Sequence, residues 1–282
     1  MKRRILGRTG LAISEIGFGC GPTAGLMIRA GAEERREAVS RALALGIDYF
    51  DTAPVYGDTV SEAHLGETLR DLGAKPIVAT KVALEAEHFD NVYGAVIHSV
   101  EASIERLGLP PTLIQLHNRV GARRADKAEY GSGALLTVDD VLGLDGVVAA
   151  FRALRDRGLV RFFGCSAYGG EPASVARLID SGAFDTIIVN YSMRNRSAWE
   201  QPSDVARDYA GAGGRAAAAG MGVIGLRVLD GGALAGEAER AVRFALANDD
   251  LATVLIGFSD RAQIEAAAKY AEGEQIRRSL SS

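Results

Sequence analysis

The chain is poor in cysteine, has no long apolar run and carries no excess of positive charge. Its 282 residues include only two cysteines, Cys20 and Cys165, both in apolar surroundings. Two thiols in a chain of this length do not make a disulfide framework, so a reducing, cytoplasmic setting is expected. No apolar stretch reaches the ~18 residues that a membrane-spanning helix needs. The opening "MKRRILGRTGLA" is basic but lacks the apolar segment of a signal peptide. A net charge of −4 provides no general basic field for nucleic acid or an anionic membrane surface. The histidines at 64, 88, 98 and 117 show no ligand spacing, and neither cysteine has a CxxC partner, so no metal site is expected.

What is present is a large apolar fraction, 48% of residues, arranged in short runs. Eight of them read as strands: 15–19, 47–50, 76–81, 112–117, 161–166, 185–190, 222–227 and 253–258. They are near-continuous in Val, Ile, Leu and Phe, as parallel strands covered on both faces are. Between them helical spacing runs over 33–45, 60–72, 91–107, 141–157, 172–181, 204–219, 237–247 and 260–270. Glycines 46, 73, 108, 158, 182 and 220 follow six of these, where a left-handed helix end favours glycine. Eight strand–helix units in one chain predict a closed (β/α)8 TIM barrel, and residues 1–282 read as a single domain. The rival is an open doubly wound sheet. Its glycine fingerprint is absent, because "GFGCGPTAG" has Pro22 where the third glycine would stand. Ahead of the first strand, residues 3–14 read as a β-hairpin turning at Gly7 to Gly10, able to plug the bottom of a barrel.

In such a barrel the strand C-termini converge on one mouth, where long loops build the site. Asp51 ends the second strand, Lys81 the third and His117 the fourth, and Tyr56 follows in the loop after Asp51. Any one of these is ordinary surface chemistry; four complementary groups at successive strand ends are not. A lysine cation beside a tyrosine favours the phenolate, and a carboxylate keeps the lysine charged. A tyrosine so tuned can donate a proton to a carbonyl oxygen as hydride reaches the carbon, with histidine orienting the carbonyl. No side chain supplies hydride, so a cofactor must.

These residues resemble the aldo-keto reductase family over nearly the whole chain. The resemblance lies in "LGRTGLAISEIGFG", "GIDYFDTAPVYG", "ATKV", "IQLHN", "GLVRFFGCSAYG", "VNYSMRNR" and "VLIGFSDRAQIEAA". It implies a nicotinamide cofactor bound without a Rossmann fold, a catalytic tetrad of Asp51, Tyr56, Lys81 and His117, and a monomer by default. By the same resemblance Ser166 and Tyr191 meet the nicotinamide. Leu226 and Leu234 sit in a pyrophosphate loop over 225–236. Gly257, Ser259, Arg261 and Gln263 lie at the adenosine end.

Three positions depart from the family pattern. Ala167 stands where asparagine follows the serine, and Ile188 where glutamine precedes the tyrosine by three residues. Asn190 is then the nearest amide for the nicotinamide carboxamide, with Tyr191 left to stack on the ring. Gly257 and Gln263 replace a lysine and an arginine that hold a 2′-phosphate. Arg261 and Ser259 remain for that role, a slight preference for NADP(H) over NAD(H), while Asp260 would repel a phosphate or accept a ribose hydroxyl.

The expected function is reduction of aldehydes or ketones with an NAD(P)(H) cofactor, and the partner is a small carbonyl or sugar. One alternative is an aldose dehydrogenase running in the oxidative direction. Others are a Schiff-base aldolase with Lys81 as nucleophile, and a non-catalytic nicotinamide-binding protein. Arg119, Arg123, Arg124 and Lys127 read as a solvated loop or an anion clamp. Met27, Tyr168, Trp199 and Phe258 are candidate pocket residues.

Overall fold

A computed structural model describes residues 1–127, 132–201 and 208–281. Eight parallel strands close on themselves, each followed by a helix. The strands are β1 (Ile16–Gly19), β2 (Tyr49–Asp51), β3 (Ile77–Val82), β4 (Leu113–Leu116), β5 (Phe162–Ser166), β6 (Thr186–Asn190), β7 (Gly222–Leu226) and β8 (Leu251–Gly257). Each pairs with its neighbours in chain order, and β8 returns to β1. The covering helices are α1 (Ala32–Ala44), α2 (Val60–Asp71), α3 (Val92–Leu107), α4 (Val147–Asp156), α5 (Pro172–Asp180), α6 (Ala212–Ala218), α7 (Ala238–Leu246) and α8 (Arg261–Ser281).

The apolar strands serve two cores at once. Tyr49, Ala79, Leu113, Ile188, Ile224 and Leu255 fill the barrel lumen. Phe50, Val78, Ile114, Ile187, Val189 and Val223 alternate with them and face the helices. This is why the strands read as continuous runs although their side chains alternate as in any strand.

The N-terminal hairpin, Arg3–Ile5 paired with Ala12–Ser14, seals the lower end. Leu6 and Ile13 belong to the lumen cluster. The Arg8 amide donates to the Gly220 carbonyl at 2.8 Å. Gly7 has φ +48°, and a Cβ there would sit 2.1 Å from the Gly222 nitrogen, so only glycine allows so close an approach.

Three helices differ from expectation. The span 141–157 divides into Val138–Leu142 and α4, because Gly143 and Gly146 interrupt it. A Cβ on Gly146 would lie 2.6 Å from the Asp140 carbonyl oxygen. The span 204–219 shortens to α6, with 204–207 outside the described residues. The last helix, expected to end at 270, continues to Ser281. The insertion after β4 has its own small sheet, Val120–Gly121 with Leu136–Thr137. Asn118 stitches it to β3, accepting from the Leu84 amide and donating to the Leu84 and Ala134 carbonyls at 2.7–2.9 Å.

Candidate active site

The second strand carries Asp51 into the mouth by simple alternation. Tyr49 faces the lumen and Phe50 the helices, so Asp51 faces the lumen again, at its open end. The chain then turns around Pro54, with the Tyr56 amide donating to the Ala53 carbonyl at 3.1 Å. Gly57, Asp58 and Thr59 follow with φ of 63°, 50° and 71°. Two of these are not glycine, and such backbone is sparsely populated and costs energy. Buried bonds hold the turn. The Ser61 amide donates to the Tyr56 carbonyl, its hydroxyl donates to the Cys20 carbonyl, and Thr52 and Ser61 share a hydroxyl contact of 2.9 Å.

Lys81 and His117 reach the same place from β3 and β4. The Lys81 ammonium donates to Asp51 Oδ1 and, at 2.8 Å, to the Thr52 carbonyl. It lies 4.9 Å from the centroid of the Tyr56 ring. The Tyr56 and His117 rings meet edge to face at 5.9 Å and 84°. The structure thus brings all four expected groups together, Asp51 and Lys81 buried, Tyr56 and His117 half-buried at the opening.

The electrostatics differ from the expectation in one respect. Burial raises the Tyr56 pKa and outweighs the opposing pull of the Lys81 charge; Asp51 adds to the rise. Tyr56 is therefore held as the neutral phenol. Burial opposes the charge on Lys81, but Asp51 and Tyr56 together more than restore it, and the lysine pKa ends above its usual value. An amine that attacks a carbonyl must first lose its proton, so this environment opposes a Schiff-base role. Burial pushes His117 down to about 3, and the Lys81 charge adds to this, so the imidazole is neutral at any ordinary pH.

One member of the cluster escaped the sequence reading. Gln115 lies on β4 two residues before His117, fully buried, and its Nε2 donates to Asp51 Oδ2 at 2.9 Å. The period-two spacing from His117 was the available signal.

On the far side of the mouth, Ser166 accepts from the Tyr168 amide at 3.2 Å. Asn190 follows Ile188 on the lumen side of β6, and among the described residues its buried Oδ1 has no partner. A nicotinamide carboxamide could supply the missing donor, so this part of the chain fits that group. Ile188 itself packs in the lumen, and Ala167 in the outer core. Tyr191 departs from the expected stacking role. Alternation turns it outward, where it stacks on Phe244 at 5.1 Å and meets Trp199 at 4.7 Å. Met27 and Phe258 are buried in the outer core, and Trp199 packs against it, donating to Asp250 at 2.8 Å. Tyr168 stays at the mouth, with the Arg227 guanidinium 5.1 Å from its ring.

β7 ends with Leu226 against the lumen, and the loop after it places Leu234 beside Arg194, Arg196 and Arg240 around a cavity of about 360 Å³. A Cβ on Gly232 or Gly236 would meet nothing, so the loop backbone is open to a close ligand. At the start of α8, Gly257, Ser259, Arg261 and Gln263 are all exposed. The side chains of Ser259, Arg261 and Gln263 are engaged within this segment and with Asp260 and Glu265. Gln263 accepts from the Ser259 amide, Asp260 accepts from the Ser259 hydroxyl and the Gln263 amide, and Arg261 donates to Glu265.

The basic loop after β4 is not a clamp at two of its four positions. Arg119 donates to the Gly169 carbonyl, and Arg124 forks onto Asp140. Arg123 and Lys127 are exposed.

The fold agrees with solved structures of aldo-keto reductases. The holo form of a Bacillus halodurans enzyme superposes with a TM-score of 0.73 at 23% identity, covering 96% of this chain and 91% of that one. Two curated relatives align over shorter stretches. L-galactose dehydrogenase from Arabidopsis thaliana is 34% identical over 164 residues, 57% of this chain and 47% of its own. Pyridoxal 4-dehydrogenase from Microbacterium luteolum is 28% identical over 193 residues, 58% and 54% respectively. The chain thus spans about half the length of each. The aldo/keto reductase family model matches residues 15–241, which contain every strand of the barrel but the last and all four residues at its mouth, and the chain belongs to that family.

Proposed function

We propose that the chain is an NAD(P)(H)-dependent oxidoreductase that interconverts an aldehyde or ketone with its alcohol, using Tyr56 as the proton donor. The observation that carries this reading is the buried Lys81–Asp51 pair set against a neutral Tyr56 at the open end of the barrel. A bound nicotinamide supplies hydride to the carbonyl carbon. Tyr56 gives its hydroxyl proton to the carbonyl oxygen. Lys81, kept cationic by Asp51, balances the phenolate left behind. His117 stays uncharged, so it offers a ring N–H to orient the carbonyl and does not compete as an acid.

Asn190 and Ser166 would hold the carboxamide, in place of the family pair that Ala167 and Ile188 lack. The loop bearing Leu226 and Leu234 would hold the pyrophosphate. Gly257, Ser259, Arg261 and Gln263 would hold the adenosine end. There Asp260 stands beside Ser259 and Arg261, a neighbour better suited to ribose hydroxyls than to a 2′-phosphate, which supports NAD(H) at least as well as NADP(H).

A second reading is oxidation of a sugar or other alcohol by the same groups in reverse. It is favoured by two relatives that carry dehydrogenase names, one for a sugar and one for pyridoxal. Nicotinamide absorbance decides between them. NADH and NADPH are tried with a reactive aromatic aldehyde, NAD and NADP with a panel of aldoses. Cofactor oxidation by the aldehyde supports the first reading, and cofactor reduction by an aldose supports the second. Silence in every combination, with cofactor still bound, would instead support a non-catalytic binding protein.

A further inference from the structure

We infer that Gln115 is a positioning residue for the proton transfer, holding the Asp51 carboxylate so that Lys81 stays aimed at Tyr56. The inference rests on the reading of Tyr56 as the proton donor. Asp51 has two oxygens, and each has one side-chain partner: Lys81 on Oδ1 and Gln115 on Oδ2. The amide therefore fixes the plane of the carboxylate and takes up part of its charge. A lysine ammonium has three protons to donate. Asp51 and the Thr52 carbonyl take two, which leaves the third for the Tyr56 side. A carboxylate free to rotate would carry the ammonium with it.

Packing does not account for an amide here. Lys81, Gln115 and Gly164 are register partners across β3, β4 and β5. A Cβ on Gly164 would stand 3.3 Å from Gln115 Cγ and 2.2 Å from Thr186 Oγ1, so the glycine makes the room in which Gln115 lies. One layer lower on the same strand, Leu113 fills the lumen with hydrocarbon. Gln115 buries its Oε1 with no hydrogen-bond partner among the described residues. A leucine would avoid that penalty. The amide is explained by what its nitrogen does for Asp51.

The groups around the Asp51 carboxylate leave a clear window for a test. Tyr56, Lys81, Tyr49 and Cys20 are all pushed upward, and His117 is pushed down to about 3. A carboxyl placed at 115 would share a proton with the carboxylate beside it, and like-charge repulsion raises one ionisation of such a pair. In Gln115→Glu the protonated carboxyl donates to Asp51 as the amide does; above its titration it repels Asp51 instead.

The test is carbon-13 NMR of protein labelled at the tyrosine ζ carbons, with the Tyr56 signal assigned by its loss in Tyr56→Phe. The expected result is a pH-dependent step in the Tyr56 signal of Gln115→Glu, between the His117 and Tyr56 ionisations and absent from the parent and from Gln115→Leu. Turnover of Gln115→Glu should fall through the same step. Gln115→Leu should lower kcat roughly tenfold, with KM changed less than about twofold. It keeps the test decisive if the second carboxylate prevents folding. A Tyr56 signal that stays flat in Gln115→Glu, or a Gln115→Leu protein with parental kcat, would overturn the inference. Normal turnover by Tyr56→Phe would instead sink the proton-donor reading, while the NMR step would still report whether position 115 is coupled to position 56.

Discussion

Lys81 and Asp51 form a salt bridge inside the barrel, from adjacent strands, with each side chain only 3% exposed. Neither charge is screened by solvent, so each depends on the other. Their placement beside Tyr56 and His117 ties the stability of the mouth to its proposed chemistry.

Tyr56→Phe removes the proton and leaves the ring. It should lower kcat by about 10²–10⁴ while the dissociation constants of NADH and NADPH change little. Steady-state turnover and cofactor fluorescence titration measure the two separately. A large loss of cofactor affinity would make Tyr56 a binding residue instead.

Lys81→Met leaves Asp51 buried without its cation. Breaking such a pair from one side costs about 3–5 kcal/mol. Lys81→Met combined with Asp51→Asn should recover most of that stability in urea denaturation and none of the turnover. Recovery of turnover by the double variant would show that the pair is structural only.

The raised pKa of Tyr56 sets the direction of the pH dependence. Reduction needs the phenol, which is present below that pKa, so kcat for carbonyl reduction should fall only as pH rises through an alkaline limb. Oxidation needs the phenolate, so kcat for alcohol oxidation should rise through the same limb. Both profiles should lose this limb in any residual activity of Tyr56→Phe.

His117 makes the fold sensitive to acid. Its folded pKa, about 3, lies below the unfolded value of about 6.5. The unfolded chain binds more protons between these values, so stability rises with pH there and is lost as pH falls from about 6.5 toward 3. Denaturation curves at a series of pH values should show a shallower acid loss in His117→Gln than in the parent.

Asp260 caps the last helix beside the residues expected at a 2′-phosphate. Asp260→Ser keeps a capping oxygen and removes the charge. Its affinity for NADP(H) should rise relative to NAD(H) by roughly fivefold at low salt, as expected for one partly screened like charge. An unchanged ratio in a calorimetric titration would place the 2′ position away from Asp260.

Much of this was legible in the sequence because it depends on local pattern. Continuous apolar runs separated by helical spacing specify strands buried on both faces, and eight such units close a barrel. Asp51, Lys81 and His117 are strand-end residues, so topology alone brings them together. Gln115 was equally accessible by alternation from His117, but an amide carries no titratable signal and passed as strand filling. Other features depended on contacts that no local pattern contains. Tyr191 faces outward because Asn190 takes the inward position and Phe244 and Trp199 receive the ring. Arg119 and Arg124 read as solvated or anion-binding until the fold brings them the Gly169 carbonyl from the loop after β5 and the Asp140 carboxylate.

The barrel, its sealing hairpin and the meeting of Asp51, Tyr56, Lys81 and His117 follow from strand period and strand ends, which are properties of the chain. How those groups are poised follows from packing. Burial, not the neighbouring lysine, sets the protonation of Tyr56, and burial is a property of everything packed around a residue rather than of the residues beside it in sequence.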